Sequence, residues 1–379
     1  MRAACIVRTS LLAAALAAPA CTSFEDVSTV VDLRVLGVAA EPSEILLTLT
    51  GLPADPAAPI DPAALAIDPA SIPPVRLTPL IVDPPAQAAG RAVTYSVTAC
   101  PNNPYGASPP MSMGGGGGPD PSGGARSSVG STLCTGVPAA WPLGANLAEG
   151  TALDLQLTPE QLLAAFKADV FLDQYGQVHG GFDLGMPLNL QLDVTDGVDS
   201  TIAVKRLLFW ATTLPGQKPN VAPTIPRVDQ YRDRDEDTWA PVGPVTPFEE
   251  GEPTRVALGT KLYLRPELPA DVVERYVTTV ISRDPPHRAV PVTVARERIR
   301  YAFYATAGTF NPARTVSELV PGVPGTVHLE SAYAPPLSLD EVPPDPVTGQ
   351  RLVSVWIVVR DDRGGESWVT RRIALDPAR

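Results

Sequence analysis

Residues 188–210 can be laid over residues 353–375 without a gap, and this internal repeat restricts the chain more than any other feature. Leu188, Leu190, Leu192 and Val194 fall on Val353, Val355, Ile357 and Val359. Asp196 falls on Asp361 in a turn rich in Gly and Asp, Val204 falls on Val369 and Arg206 on Arg371. Apolar residues at every second position describe a strand with one buried face, so each half ends in the same hairpin. Upstream, residues 94–99 resemble residues 300–305, with Tyr95 on Tyr301, but Tyr95 lies 41 residues further from Asp196 than Tyr301 does from Asp361. Two modules of one fold, the first carrying an insertion, account for both matches.

With 44 prolines and 30 glycines the chain has little room for long helices. Alternation predicts strands over residues 31–35, 44–50 and 92–100, with residues 53–74 as a proline-rich loop. Residues 101–133 hold five consecutive glycines, Gly114 to Gly118, and read as a flexible loop. No Lys-Ser or Lys-Thr follows them, which excludes a phosphate loop. One helix is expected over residues 158–171: Thr158 as N-cap, Pro159 at the first position, Gln161 closing a capping box, and Leu162, Leu163, Phe166 and Val170 on one face. It should cover an open edge or end of the first sandwich.

In the second half about seven strands are expected, over residues 253–264, 275–281, 290–294, 298–305, 326–329, 352–360 and 366–375, a number that suits an immunoglobulin-like sandwich. The start at Asn220-Val221-Ala222-Pro223, the stretch around Gly259 and the end from Val355 to Gly365 resemble the polycystic-kidney-disease and related immunoglobulin-like repeats of bacterial surface proteins. The resemblance covers residues 220–376 well and 27–212 more loosely. It implies an all-β chain of two tandem immunoglobulin-like sandwiches, and no one activity, since such modules serve as spacers, adhesins and binding appendages. The expected division is residues 30–212 for the first sandwich, 213–226 for a linker and 227–377 for the second.

The N-terminus carries Arg2 and Arg8, an apolar run from Leu11 to Ala18 and small residues up to Cys21, the layout of a signal peptide over residues 1–20. Ala18-Pro19-Ala20-Cys21 resembles a lipobox, which would acylate Cys21 and leave residues 21–29 as a tether. Cleavage after Ala20 by a general signal peptidase would instead release a soluble protein. Removing the signal leaves Cys21, Cys100 and Cys134. Acylation of Cys21 would free Cys100 and Cys134 to pair. No later apolar run reaches eighteen residues, so anchorage to a membrane would rest on that lipid.

The formal charge of −12 argues against nucleic acid as a partner; a protein or a polysaccharide is the open class. His179, His287 and His328 are scattered, and no Gly-x-Ser-x-Gly elbow occurs. Catalysis is therefore not expected, and an extracytoplasmic hydrolase is the disfavoured alternative. His179 is read as an exposed turn residue near Asp173. No cofactor is expected except a calcium ion that Asp233, Asp235 and Asp237 could hold near Asp229, as in a calcium-dependent adhesin or carbohydrate-binding protein. Thr238 stands where a calcium loop wants glycine and Pro244 where it wants glutamate, so a solvated loop competes with that reading. Trp356 and Trp368 are read as packing residues rather than a sugar-stacking platform.

Overall fold

Most of the alternating segments become strands in the computed structural model, which describes residues 26–51, 64–101, 134, 140–172, 176, 178–180, 184–211, 216–268, 275–285, 287, 289–294, 297–317 and 329–378. The first expected strand, over residues 31–35, instead begins at Arg34 and runs to Glu41, and the one expected over residues 44–50 is two short strands broken at Thr48. In chain order the first module has β1 (Arg34–Glu41), β2 (Glu44–Leu47), β3 (Leu49–Thr50), β4 (Ala66–Ile67), β5 (Val75–Val82), α1 (Pro84–Ala89), β6 (Thr94–Pro101), β7 (Trp141–Ala148), β8 (Leu153–Leu155), α2 (Pro159–Ala168), β9 (Val170–Leu172), β10 (Val178–Gly180), β11 (Met186–Thr195) and β12 (Ser200–Ala211). One sheet runs β1-β5-β8 and the other β2-β12-β11-β6-β7. Their inner faces bury Leu77, Val97, Leu190 and Phe209 between them.

The second module has β13 (Val228–Tyr231), β14 (Asp233–Arg234), β15 (Pro241–Val242), β16 (Thr246–Pro247), β17 (Thr254–Ala257), β18 (Leu262–Pro266), β19 (Tyr276–Ile281), β20 (Ala289–Val294), β21 (Arg300–Ala305), β22 (Thr309–Asn311), β23 (Arg314–Val316), β24 (Ser331–Ala334), β25 (Arg351–Arg360) and β26 (Glu366–Asp376). Its sheets run β16-β13-β18-β24-β22 and β17-β26-β25-β21-β23. The order repeats, with β16 and β22 added at the edges of one sheet of the second module: β1, β5 and β8 correspond to β13, β18 and β24, and β2, β12, β11, β6 and β7 to β17, β26, β25, β21 and β23. In both modules a short strand, β2 or β17, pairs in parallel with the last one. The chain is two immunoglobulin-like sandwiches.

Registers test the repeat residue by residue. Ala99 faces Leu190 and Ala305 faces Val355, so the match of Tyr95 with Tyr301 holds. Both rings are buried, and their hydroxyls donate to the carbonyls of Thr151 (2.6 Å) and Glu267 (3.3 Å). The match of the last strands is corrected by one residue. Leu190 faces Lys205 whereas Val355 faces Arg371, so Lys205, not Arg206, corresponds to Arg371, and Ala203 corresponds to Val369. The cause is turn length: residues 196–199 close the first hairpin and residues 361–365, one more, close the second. A slip of one exchanges the faces of a strand, so Val204 is partly exposed while Val369 packs on the core.

Other expectations are corrected as well. β19 and β20 form a separate two-stranded ribbon rather than sandwich strands. The expected strand over residues 253–264 is two, β17 and β18, in opposite sheets, and residues 326–328 lie outside the described residues while β24 follows them. Within the expected loop at 53–74, residues 64–74 include β4 and a 3-10 turn, and β5 is a full strand whose alternation runs through Pro79. The helix matches: Thr158 and Gln161 close the capping box, and Leu162, Ala165 and Phe166 face inward. It ends at Ala168, so Val170 belongs to β9, and it packs against β4, β6 and β11.

Cys100 and Cys134 are bonded, with their Cα atoms 5.5 Å apart. The disulfide ties the end of β6 to residue 134, whose N–H donates to Gln191 Oε1 on β11 at 3.0 Å. The glycine-rich loop, the signal segment and Cys21 lie outside the described residues.

Candidate functional site at the seam between the modules

The two hairpin turns use their shared aspartate in the same way and then diverge. Asp196 Oδ1 accepts from the N–H groups of Asp199 (2.6 Å) and Val198 (2.8 Å), while Oδ2 accepts from Arg91. The hydrogen bonds from Asp199 and Val198 hold its carboxyl well below the usual carboxylate range. Asp361 Oδ1 accepts from the N–H groups of Gly365 (2.6 Å) and Arg363 (2.9 Å), and its Oδ2 from Asn220 Nδ2 (2.7 Å). Here burial prevails and pushes the carboxyl up, against the bonds from Asn220, Gly365 and Arg363. The difference is location. The first turn leaves Val198 exposed, whereas the second is pressed against the first module.

Charged groups of both modules meet there away from water. Glu44 of β2 accepts from Trp210 Nε1 at 2.7 Å and from the guanidinium of Arg363. Arg363 also donates to the Lys218 carbonyl (2.7 Å), and its guanidinium lies 4.7 Å from the ring of Tyr276 on the ribbon. Lys205 of β12 donates to the Gly364 carbonyl at 2.7 Å and reaches Glu366 Oε2 at 3.5 Å. Glu366 pairs with Arg360 at 2.6 Å and accepts the Val38 N–H of β1 at 3.1 Å. Asn220 bridges Asp361 and Ser43. Gly365 is required by the fit: a Cβ there would lie 2.1 Å from Asp361 Oδ2 and 2.8 Å from Ala222 Cα.

Burial sets the electrostatics of this cluster. Desolvation pushes Glu44 up, outweighing Arg363 and the bonds from Trp210 and Asn220. Desolvation pulls Lys205 down, against Glu366 and Asp361. Beside the charges runs an apolar seam. Val30, Leu36 and Val82 pack on Trp356 and Val358, with Trp368 at the margin. Trp356 is thus a packing residue, as expected, and no sugar platform forms from it. Each of these side chains contributes on the order of 1.5–3 kcal/mol when fully buried.

No family model matches the chain. A search of curated proteins also finds no match.

The aspartates considered for calcium are elsewhere: Asp233 is on β14, which pairs with β15 in a separate two-stranded ribbon, and Asp235 and Asp237 follow in the turn between them. Asp235 Oδ1 accepts from Thr238 N–H (2.7 Å) and Oγ1 (2.8 Å) and from Asp237 N–H (3.1 Å), and Asp233 Oδ1 from Arg234 N–H (2.9 Å). These are turn contacts, and among the described residues no three Asp, Glu, His or Cys side chains gather as metal ligands. Arg234 instead stacks 3.7 Å over Trp239 and lies 5.1 Å from Tyr263, which stacks on Tyr231 at 5.3 Å. Beyond them an open cleft of about 450 Å³ is lined by Arg227, Asp229, Arg265, Glu267 and Leu329, and both arginines pair with Asp229. His179 is buried in β10 opposite Phe171, not exposed. Asp173 lies outside the described residues.

Chemically, the seam is a lock. Its carboxylates accept from fixed donors and its cations donate to fixed acceptors, so the groups are spent on one another and on the backbone. Sequence reading named Asp361 as a turn residue and Asn220 as the start of a module. It missed Glu44, Lys205, Arg360, Arg363 and Glu366.

Proposed function

We propose that this chain is a non-catalytic, lipid-anchored protein of the cell envelope that carries its two sandwiches as one rigid unit, for a structural or binding role toward protein or polysaccharide. The observation that supports this reading most is the seam. Spacer modules on flexible linkers meet through small, wet contacts, whereas here Glu44, Arg363, Lys205 and Glu366 are removed from water at the boundary. Burying an ion pair yields little stability over an apolar contact, and its best attested role is to specify one arrangement. A fixed angle between modules is useful to a protein that must hold a surface at a set place. The lipobox-like sequence ending at Cys21 supplies the attachment.

The test is the intact mass of the protein extracted from native membranes, beside a Cys21→Ser variant. Loss of residues 1–20 with a diacylglycerol on Cys21, and release of the variant into the soluble fraction, is the expected result. A soluble, unmodified wild-type chain would overturn the anchor and make this a secreted protein.

A further inference from the structure

Residues 28–30 precede the first module in sequence yet are built into the second. The Ala305 N–H donates to the Ser28 carbonyl and the Val30 N–H to the Ala305 carbonyl, both at 2.8 Å, so Thr29 pairs in parallel with the end of β21. Thr29 Oγ1 donates to the Gly308 carbonyl at 2.7 Å, and the Phe310 N–H donates to Ser28 Oγ at 2.9 Å. Ser28 and Val30 are wholly buried. Gly308 fits only as glycine: its φ is +77°, and a Cβ would lie 2.4 Å from the Ala334 carbonyl oxygen. From this latch the chain crosses to the seam, where Leu36 and Val38 meet Arg360 and Glu366.

β21 gives the direction. It begins at Arg300, opposite Arg360 beside the turn that grips the first module, and ends at Ala305 under the latch. At ~3.3 Å per residue those two points are about 17 Å apart. A lipid on Cys21 is seven residues from Ser28, so even a fully extended tether holds the latch within about 25 Å of the membrane. The same corner carries exposed apolar groups. Ala334 pairs with Thr309 next to Gly308, and three residues on, after Pro335 and Pro336, Leu337 is 97% exposed; Val27 at the latch is 62% exposed.

We infer that the corner of the second module formed by residues 305–310 and Leu337 faces the lipid surface, with the end of the first module that carries α2 directed away, the reverse of what chain order suggests. The inference rests on acylation of Cys21. Its partner is the boundary between headgroups and acyl chains, where an anchored protein gains from burying a protruding leucine.

The experiment uses the full acylated chain in phosphatidylcholine liposomes, some containing brominated lipid, with bimane attached in turn to Leu337→Cys and to Lys167→Cys on α2. Leu337 is exposed and Lys167 lies on the outer face of its helix, so both variants should fold. Bimane at position 337 should be quenched several-fold more strongly than at 167. Equal quenching, or stronger quenching at 167, in a protein that floats with the liposomes through Cys21 would overturn the orientation and leave the anchor standing. A wild-type protein that floats no better than Cys21→Ser would overturn both.

Discussion

Arg363 and Glu44, 319 positions apart in sequence, form a buried ion pair across the boundary between the modules. Removing one partner leaves the other charge buried without compensation, which costs about 3–5 kcal/mol. We expect Arg363→Met to lower the unfolding free energy by that order and to split a single urea transition into two. Replacing both residues, as Glu44→Leu with Arg363→Met, should restore much of the loss. A double variant as unstable as the single one would show that packing, not the pair, holds the seam.

The raised pKa of Glu44 carries a sign. Its folded form holds the proton more tightly than the unfolded chain does, so its contribution is present in full below the ordinary value of 4.5 and is lost as pH rises through the folded value. The unfolding free energy of the wild type minus that of Glu44→Gln should therefore fall as pH rises from about 4.5 and then level off. Urea titrations of both proteins across that range measure it. A difference that grows with pH would mean that Arg363 outweighs burial.

Lys205 has the opposite dependence. Burial depresses its folded ionisation, so the stability it contributes is present above the ordinary lysine value of 10.5 and is lost as pH falls through the folded value. At neutral pH its charge is a cost offset by Glu366 and the Gly364 carbonyl. We expect Lys205→Met to be tolerated better when paired with Glu366→Gln than alone, by at least 1 kcal/mol in denaturant titrations, because the single change leaves Glu366 with one cation fewer.

The disulfide closes a segment of 34 residues in sequence separation. The chain-entropy relation gives about 4 kcal/mol for such a loop. Reduction, or the double change of Cys100 and Cys134 to Ser, should lower stability by up to that amount and leave the second module's core unaltered. Hydrogen exchange should show faster opening in β6 and β11 and no change in β21 and β25. Equal loss of protection in both modules would mean that the seam transmits the change.

At the turn, Gly365→Ala should cost about 1–3 kcal/mol, the range for forcing a methyl group into filled space. The added Cβ meets the Ala222 backbone and the Asp361 carboxylate at once, and that carboxylate is held in place by Asn220 and by the N–H groups of Arg363 and Gly365. A thermal melt unchanged by this substitution would mean that the turn is not pressed as tightly as described.

Much of the fold was legible because alternation along a half-buried strand is a local property. Tyr95 with Tyr301, and Leu190 with Val355, were found from pattern alone. The slip at Val204 was not, because an ungapped overlay carries no information about the extra residue in the 361–365 turn. Nor could alternation tell that β19 and β20 pair only with each other, since sheet membership is a long-range property. The seam was hidden for a different reason. A lone Glu44, Lys205 or Glu366 on a strand reads as a solvated side chain, and only the partner's position changes that. The available hint was chemical: the second turn holds two Asp and one Arg where the first holds two Asp alone, and the extra guanidinium is the one that enters the neighbouring module.

The contact of Val38 with Glu366 spans 328 positions, and that of Leu36 with Arg360 spans 324. A ribosome adding about 5–20 residues per second needs tens of seconds to travel that far. For that interval Leu36 and Val82 have no Trp356 to cover them, and Glu44 and Lys205 keep their water. The hairpin of β25 and β26 therefore works as a closing stitch: a chain broken off before it would leave the first sandwich with an open apolar edge, the kind of surface by which proteases and chaperones recognise incomplete folding.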